Sequence, residues 1–142
     1  MTDSVQEVAE KIRTGFAAGP VVGMGMLGSL AADKIEIQHI PALPSDGIWD
    51  GPSWALADLE AVKTLNDAIK SFRQNVELTV IGDDIGVVNT FTGALADGAS
   101  LHHLVRSVHT VKNGKIIKSV VNTDLGSSSG QLLLKVLNGA AV

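Results

Sequence analysis

The second half of the chain alternates apolar and polar residues over four segments, and this pattern constrains the fold more than any other sequence feature. Alternation with a period of two is typical of β-strands. The segments are residues 76–82, 86–95, 101–111 and 115–124. Asp83-Asp84 separates the first pair, and Asn113-Gly114, a dipeptide typical of a two-residue hairpin turn, separates the second. The sequence therefore predicts two hairpins in succession.

Helical periodicity dominates the first half of the chain. Residues 4–16 predict an amphipathic helix, and residues 58–72 predict a longer one with Asp58 as its N-cap. Between these two helices, residues 34–40 alternate as a strand does. The Pro-, Gly- and Trp-rich residues 41–57 are predicted to form a loop.

Residues 21–30 contain Gly23-x-Gly25-x-x-Gly28, which matches the glycine spacing of a dinucleotide-binding turn. Such a turn needs a buried strand before the first glycine and a long crossover helix after the last. Here a helix is predicted to end just before the motif, and only the residues SLAAD separate it from the next strand. We therefore predict a short second helix and no cofactor.

Composition excludes several classes of function. The 142 residues are predicted to form one domain, with a core at about residues 4–125 and a C-terminal tail at 126–142. Only 18% of the residues are charged and the net charge is −4, so nucleic acid is not an expected partner. The absence of cysteine excludes thiolate chemistry. The uncharged residues 14–32 are too rich in glycine for a membrane span, so we expect a cytoplasmic protein without membrane contact.

The order of helix, short helix, strand, long helix and two hairpins resembles the nuclear transport factor 2-like superfamily, including its SnoaL-like polyketide cyclases and ketosteroid isomerases. Two motifs carry the resemblance. QHIP at 38–41 is similar to the first-strand His-x-Pro of SnoaL-like proteins, and NGKIIKSVVNTD at 113–124 is similar to their closing strand. The resemblance implies an α+β, cystatin-like fold, in which a curved antiparallel sheet wraps around a long helix as a cone. It also implies a cavity for a small apolar molecule.

Arg106 is the first candidate for a catalytic residue. A two-residue turn at Asn113-Gly114 sets Arg106 opposite Val121, and the resemblance implies that this face of the sheet lines the cone. A guanidinium in an apolar cavity offers hydrogen-bond donors to a carboxylate or an enolate-like oxygen. The alternative is a structural arginine at the rim, or one paired with Glu36 or Glu77.

His39 is the second candidate. It is similar to the histidine of the His-x-Pro motif, and its place on the first strand resembles that of the general base in ketosteroid isomerases. A neutral imidazole can accept a proton near pH 7. The alternative is a hydrogen-bonded structural histidine.

Further residues are predicted to contact a substrate, because they share the face assigned to the cone or lie in the loop beside its mouth. They are Trp49, Trp54, Asn89, Phe91, His102, Val108, Val121 and Thr123. The alternative for the two tryptophans is that they only hold the loop in place.

His102 and His103 are neighbours on a strand and point apart, so no metal site is expected. On the outer face, His103 is predicted to oppose Asp124 as an acid/base pair.

The chain departs from the catalytic families at several positions. It has no tyrosine, the donor that ketosteroid isomerases and scytalone dehydratases use. Phe91-Thr92-Gly93 stands where limonene epoxide hydrolases carry Arg-x-Asp, and Val121 stands where they carry an aspartate base. The sequence therefore leaves open whether the pocket catalyses a reaction.

Two functions remain. The first is a SnoaL-like, cofactor-independent isomerase, cyclase or lyase for a small apolar carbonyl or carboxylate compound, with His39 as base and Arg106 stabilising the anion. The second is a non-catalytic ligand-binding or homodimeric assembly module, because apolar residues would otherwise lie exposed on the outer sheet face. Those residues are Val105, Val111, Ile116 and Val120.

Overall fold

A computed structural model describes residues 2–139, which form four helices and six strands; residues 140–142 of the predicted tail lie outside this range. The helices are α1 (Val5–Ala17), α2 (Pro20–Ser29), α3 (Gly51–Ala68) and α4 (Ser128–Leu137). The strands are β1 (Ala31–Ile40), β2 (Gly47–Asp50), β3 (Lys70–Ile81), β4 (Asp84–Ala94), β5 (Ser100–Lys112) and β6 (Lys115–Thr123).

The strands form one open sheet in the order β2-β1-β6-β5-β4-β3. β1 runs parallel to β6, whereas every other neighbouring pair is antiparallel, so the sheet is mixed. The two predicted hairpins are β3–β4 and β5–β6. Helices pack against one face of this sheet, and the predicted α+β fold class is confirmed.

The first two helices follow from local sequence. Ser4 and Glu7 form a reciprocal capping box at the start of α1. Two of the three glycines of the 23–28 motif allow close packing: a Cβ at Gly23 would collide with the Phe16 ring, and one at Gly28 would lie 2.7 Å from Ala55 Cβ. The motif therefore lies on a packed helix, as predicted.

The long helix begins earlier than predicted. α3 starts at Gly51 because the Asp50 side chain accepts a hydrogen bond from Ser53 N at 3.1 Å, so Asp50 is the N-cap and Asp58 lies inside the helix. The helix ends at Ala68, and Phe72 belongs to β3 rather than to the helical stripe. The predicted 41–57 loop also contains β2.

The turn of the last hairpin is as predicted, but the register beyond it is not. Asn113 and Gly114 both have positive φ, and Lys112 pairs with Lys115. A bulge at Ile117 then leaves one extra residue on β6, so Arg106 pairs with Asn122 rather than with Val121. Because strand side chains alternate with a period of two, this single residue reverses the predicted faces of β5.

The helices divide the interior into two apolar clusters. Buried residues of α1 and α2 pack on β1, β4, β5 and β6 around Ile12, Phe16 and Ile116. A second cluster joins α3 to α4, with Val62, Leu65, Leu133 and Val136 at its centre. The C-terminal helix is thus docked on the body of the fold. Among residues 2–139, no helix has the length and apolar character needed to cross a membrane.

Candidate functional site

A cavity of about 430 Å³ lies between the inner face of the sheet and the helices. Its wall is mostly apolar, with contributions from all four helices. The apolar residues include Ile12, Phe16, Met24, Leu27, Ile37, Trp54, Val62, Leu65, Val87, Phe91, Val105, Leu133 and Leu134. Ser45, Ala57 and Leu137 line the cavity and are also exposed, so its mouth lies between the β1–β2 loop, α3 and α4.

His39 lines the cavity from the second half of β1, where it shares the inward face with Ile35 and Ile37. Its Nδ1 lies 2.5 Å from Asp46 Oδ1. Asp46 Oδ2 also accepts hydrogen bonds from the backbone N–H groups of His39 and Leu43, at 3.0 and 3.1 Å. The hydrogen bond from the His39 side chain lowers the pKa of Asp46. The carboxylate therefore holds the imidazole by Nδ1, and Nε2 has no partner among residues 2–139.

Asp58, on α3, is a second titratable residue that lines the cavity, together with His39. It follows Trp54 by one helical turn and precedes Val62 by another, so it occupies the apolar stripe of α3 that lines the cavity. Burial raises the pKa of Asp58 to about 6 from its usual 3.8, and the charge of His39 opposes this rise. Asp58 can thus gain or lose a proton near neutral pH.

Two buried histidines line the cavity from β5, which is separated from β1 by β6 in the sheet. Both ring nitrogens of His103 are bonded to hydroxyls, Nδ1 to Ser129 at 2.7 Å and Nε2 to Thr123 at 2.8 Å. Burial lowers its pKa, although Asp124 raises it. The predicted pairing of His103 with Asp124 is wrong, because Asp124 instead accepts hydrogen bonds from the backbone of the turn before α4.

His109 is more deeply buried. Its Nδ1 lies 2.6 Å from Ser119 Oγ, and its Nε2 lies 3.2 Å from Ser107 Oγ. Complete burial lowers its pKa to about 4. Since both rings on this wall have two hydroxyl partners and are stable as neutral imidazoles, neither has a nitrogen available to a ligand.

The third wall, on β3 and β4, carries two carboxamides. Gln74 and Asn89 both line the cavity, and within residues 2–139 neither Gln74 Oε1 nor Asn89 Oδ1 has a hydrogen-bond partner. Buried polar atoms are paired in the great majority of cases. These two oxygens are therefore exceptions within the cavity wall.

The structure places most of the predicted site residues at the cavity. The residues that line it are His39, Trp49, Trp54, Asn89, Phe91, Val121 and Thr123. Trp49 Nε1 donates to Ser45 O at 2.8 Å, and Trp54 is buried in the core, so both also hold the mouth in shape. Whether any of these residues binds a substrate stays a prediction.

Arg106, His102 and Val108 do not line the cavity, and their predicted placement is wrong. All three have even numbers on β5 and lie exposed on the outer face, because the Ile117 bulge reverses the register. Neither carboxylate named as the alternative partner pairs with Arg106. Glu36, for instance, lies 3.1 Å from Lys118 across the outer face.

Sequence reasoning missed Asp46, Asp58, Gln74, Ser107 and His109. The sequence does indicate that Asp58 lies on the buried face of a helix, because it is at helical spacing between Trp54 and Val62. No such indication exists for Asp46, since its contact with His39 depends on how the intervening loop folds back. Within residues 2–139, no group of three histidine or carboxylate side chains is placed to hold a metal ion.

Comparison with solved structures identifies the fold. An NTF2-like protein from Burkholderia thailandensis is 18% identical, with a TM-score of 0.62 and coverage of 97% of this chain and 99% of the other. A Catenulispora acidiphila protein with a ketosteroid isomerase-like fold, solved in complex with trimethylamine, is 10% identical, with a TM-score of 0.57 and coverage of 87% and 90%. An LEH-like epoxide hydrolase of M. tuberculosis is 12% identical, with a TM-score of 0.59 and coverage of 96% and 94%.

Sequence comparison adds nothing to this likeness, since no family model and no curated protein matches the chain. At these identities the similarity concerns the fold. The chain has the nuclear transport factor 2-like fold that the order of its elements predicts.

Proposed function

We propose that this chain is a cofactor-independent acid/base enzyme that acts on a small, neutral, largely apolar carbonyl compound bound in the cavity. One observation carries the proposal. His39 is held at Nδ1 by Asp46, and its Nε2 has no partner among the described residues. It lines the same apolar cavity as Asp58, whose pKa is raised to about 6 by burial. Proton transfer next to a carbonyl requires a base at the carbon and an acid at the oxygen, and the two side chains supply one of each.

In the proposed reaction, His39 Nε2 accepts a proton from the carbon next to the carbonyl. The C–H electron pair moves into the enol, and the carbonyl oxygen takes the proton of Asp58. Asp46 stabilises the imidazolium that forms, as the carboxylate of a His–Asp pair does. Return of the protons, with the carbon receiving one at the same or a conjugated position, regenerates both groups and completes an exchange or isomerisation.

The placement of Arg106 changes the substrate class. The described residues that line the cavity include no lysine or arginine, and His39 must be neutral to act as the base, so a substrate carboxylate would be buried without a cation. A neutral carbonyl compound fits this wall better than a carboxylate. The trimethylamine complex of the Catenulispora protein supports a small-molecule ligand for this fold.

Exchange of carbon-bound protons tests the proposal without the natural substrate. The probe is 2-tetralone in D₂O, with loss of its α-proton signals followed by NMR. We expect the protein to accelerate exchange above the buffer background, and His39→Ala to lower the acceleration by roughly 100-fold or more, the usual contribution of a positioned base.

His102→Ala is the matched control, because His102 is an exposed histidine on the outer face of β5. It should exchange 2-tetralone as the unsubstituted protein does. Equal loss of activity in both variants, or full activity in His39→Ala with the fold intact, would contradict the assignment of His39 as base.

The exposed apolar residues of the outer sheet face support the second candidate function, a homodimeric assembly module. On the outer sheet face, Leu104 is 37% and Val108 is 42% exposed, and Val108 pairs with Val120 on β6. Of the residues predicted to form this face, Val111 and Ile116 are instead buried in the core, and Val105 lines the cavity.

Sedimentation tests this assembly. We expect a dimer that Val108→Glu converts to a monomer, because a buried, unpaired carboxylate opposes association. Leu56→Glu on α3 is the control, since Leu56 is 60% exposed on a helix that packs against the other face of the sheet. A monomeric unsubstituted protein would exclude the dimer.

A further inference from the structure

We infer that the β3–β4 wall is a subsite for a hydroxyl group of the substrate, with Gln74 and Asn89 as its hydrogen-bond partners. The inference rests on the proposed function for its account of the other end of the substrate. It adds the substrate class: a hydroxylated ketone, with its carbonyl at His39 and Asp58.

The first observation is the state of the two carboxamides. Gln74 is only 6% exposed, yet its Oε1 has no partner among residues 2–139, and its Nε2 reaches only Met24 Sδ at 3.7 Å. Thioether sulfur is a weak acceptor. Asn89 Oδ1 is likewise buried without a partner. A polar atom in this state lacks a hydrogen bond that an unfolded chain would make with water.

The second observation is that the two carboxamides are neighbours. Gln74 pairs with Phe91 across β3 and β4, and Asn89 pairs with Val76. The two amides therefore lie diagonally on one inward face, within reach of a common group. Both line the cavity, so a ligand there can approach both.

The chemistry of a carboxamide selects the class of group. Rotation about its last torsion exchanges the donor and acceptor ends, so the best partner is one that both donates and accepts. A hydroxyl does both. A substrate carboxylate could not donate to the two oxygens.

The position of the subsite sets the size of the substrate. β6 and β5 lie between β1, which carries His39, and β4, which carries Asn89. Three strand spacings amount to about 14 Å along the sheet. His39 and Asn89 both line the cavity, whose volume of about 430 Å³ accommodates a two-ring compound with a carbonyl at one end and a hydroxyl at the other.

Two probes that differ by one hydroxyl test the subsite, 2-tetralone and 6-hydroxy-2-tetralone, with calorimetric Kd values for each. We expect the hydroxylated probe to bind about tenfold more tightly, the effect of one net hydrogen bond. Gln74→Met and Asn89→Leu, which keep the side-chain size, should remove this preference, so that each variant binds the two probes with equal Kd. Gln38→Met, at an exposed position on β1, should keep the preference.

Stability gives a second readout. If Gln74 is kept for a ligand, replacing its unpartnered amide by an apolar side chain should raise the Tm of the free protein while the preference is lost. A Tm that falls in Gln74→Met would point to a structural hydrogen bond and count against the subsite. Should Gln74→Met fail to fold, the Kd values of the two probes for Asn89→Leu and for the unsubstituted protein still test the hydroxyl subsite.

The outcomes separate this inference from the proposed function. Equal affinity for the two probes, or a preference that survives in both variants, overturns the hydroxyl subsite even where exchange of 2-tetralone proceeds. A preference that depends on Gln74 and Asn89, without any exchange, upholds the subsite and overturns the role of His39 as base.

Discussion

The part of the cavity wall formed by β1 and α3 and the part formed by β5 and β6 both carry histidine. The ring nitrogens of these histidines differ in their hydrogen-bond partners. His39 has one nitrogen fixed by the carboxylate of Asp46 and one without a partner in the described part of the chain, residues 2–139. His103 and His109 have both nitrogens bonded to hydroxyls, and burial lowers the pKa of each. A histidine becomes a base through an unused nitrogen and a neighbouring negative charge, whereas location in a cavity alone does not make it one.

The same contrast applies to acids. Asp46 accepts three hydrogen bonds and its pKa is lowered, so it stays ionised at neutral pH. Asp58 lies on the apolar stripe of α3, and burial raises its pKa to about 6. The surroundings of two aspartates near one histidine thus shift their pKa values in opposite directions, downward for Asp46 and upward for Asp58.

The largest expected effect that sharpens this comparison is the loss of the acid. Asp58→Asn should slow exchange of 2-tetralone by roughly 100-fold, because the enol oxygen no longer receives a proton. In the unsubstituted protein, the rate should fall as the pH rises through about 6, where Asp58 loses its proton. The variant should lack this limb of the pH–rate profile. A rate that instead rises through about pH 6 in the unsubstituted protein, with that rise missing in Asp58→Asn, would make Asp58 the base.

The two walls should also respond oppositely to acid. His109 has a pKa lowered to about 4, so its contribution to stability is present above pH 6.5 and is lost as the pH falls toward 4. Asp58 has a raised pKa, so its contribution is present below about pH 3.8 and is lost as the pH rises through about 6. Each pKa unit is worth about 1.4 kcal/mol.

Urea unfolding from pH 4 to pH 8 measures both responses. Relative to the unsubstituted protein, His109→Asn should gain up to about 3 kcal/mol on going from pH 7 to pH 4, because it has no buried imidazole to charge. Asp58→Asn should gain about 2 kcal/mol on going from pH 4 to pH 8. His102→Asn, at an exposed position, is the control. Parallel pH dependence in all the proteins would remove the distinction between the walls.

Much of the fold could be predicted because it depends on local patterns. The alternation of the last four segments and the Asn113-Gly114 turn specify two hairpins, and the capping residues of α1 specify its start. The start of α3 was missed because Pro52 and its neighbours are typical of loops. Proline is equally suited to the first turn of a helix, and Asp50 supplies the cap.

The site was harder to predict because its composition depends on single-residue register. On β5, both possible faces mix apolar and polar residues, so the pattern does not decide which face is buried. The adjacent Ile116 and Ile117 interrupt strict alternation, and this was the one local sign of the bulge. Val121 and Thr123 still line the cavity, because they lie on β6, on the far side of the bulge from the turn.

The smallest expected effect tests that register directly. Arg106→Leu should leave exchange of 2-tetralone within about twofold of the unsubstituted protein, because surface changes away from a site have small effects. Ser107→Leu, at the next residue, should reduce binding of the probe, since Ser107 lines the cavity and a larger side chain fills it. Sensitivity at Arg106 with tolerance at Ser107 would mean that β5 presents its other face to the cavity. That outcome would overturn the placement of the buried pair of His109 and Ser119 on the inner face of the sheet.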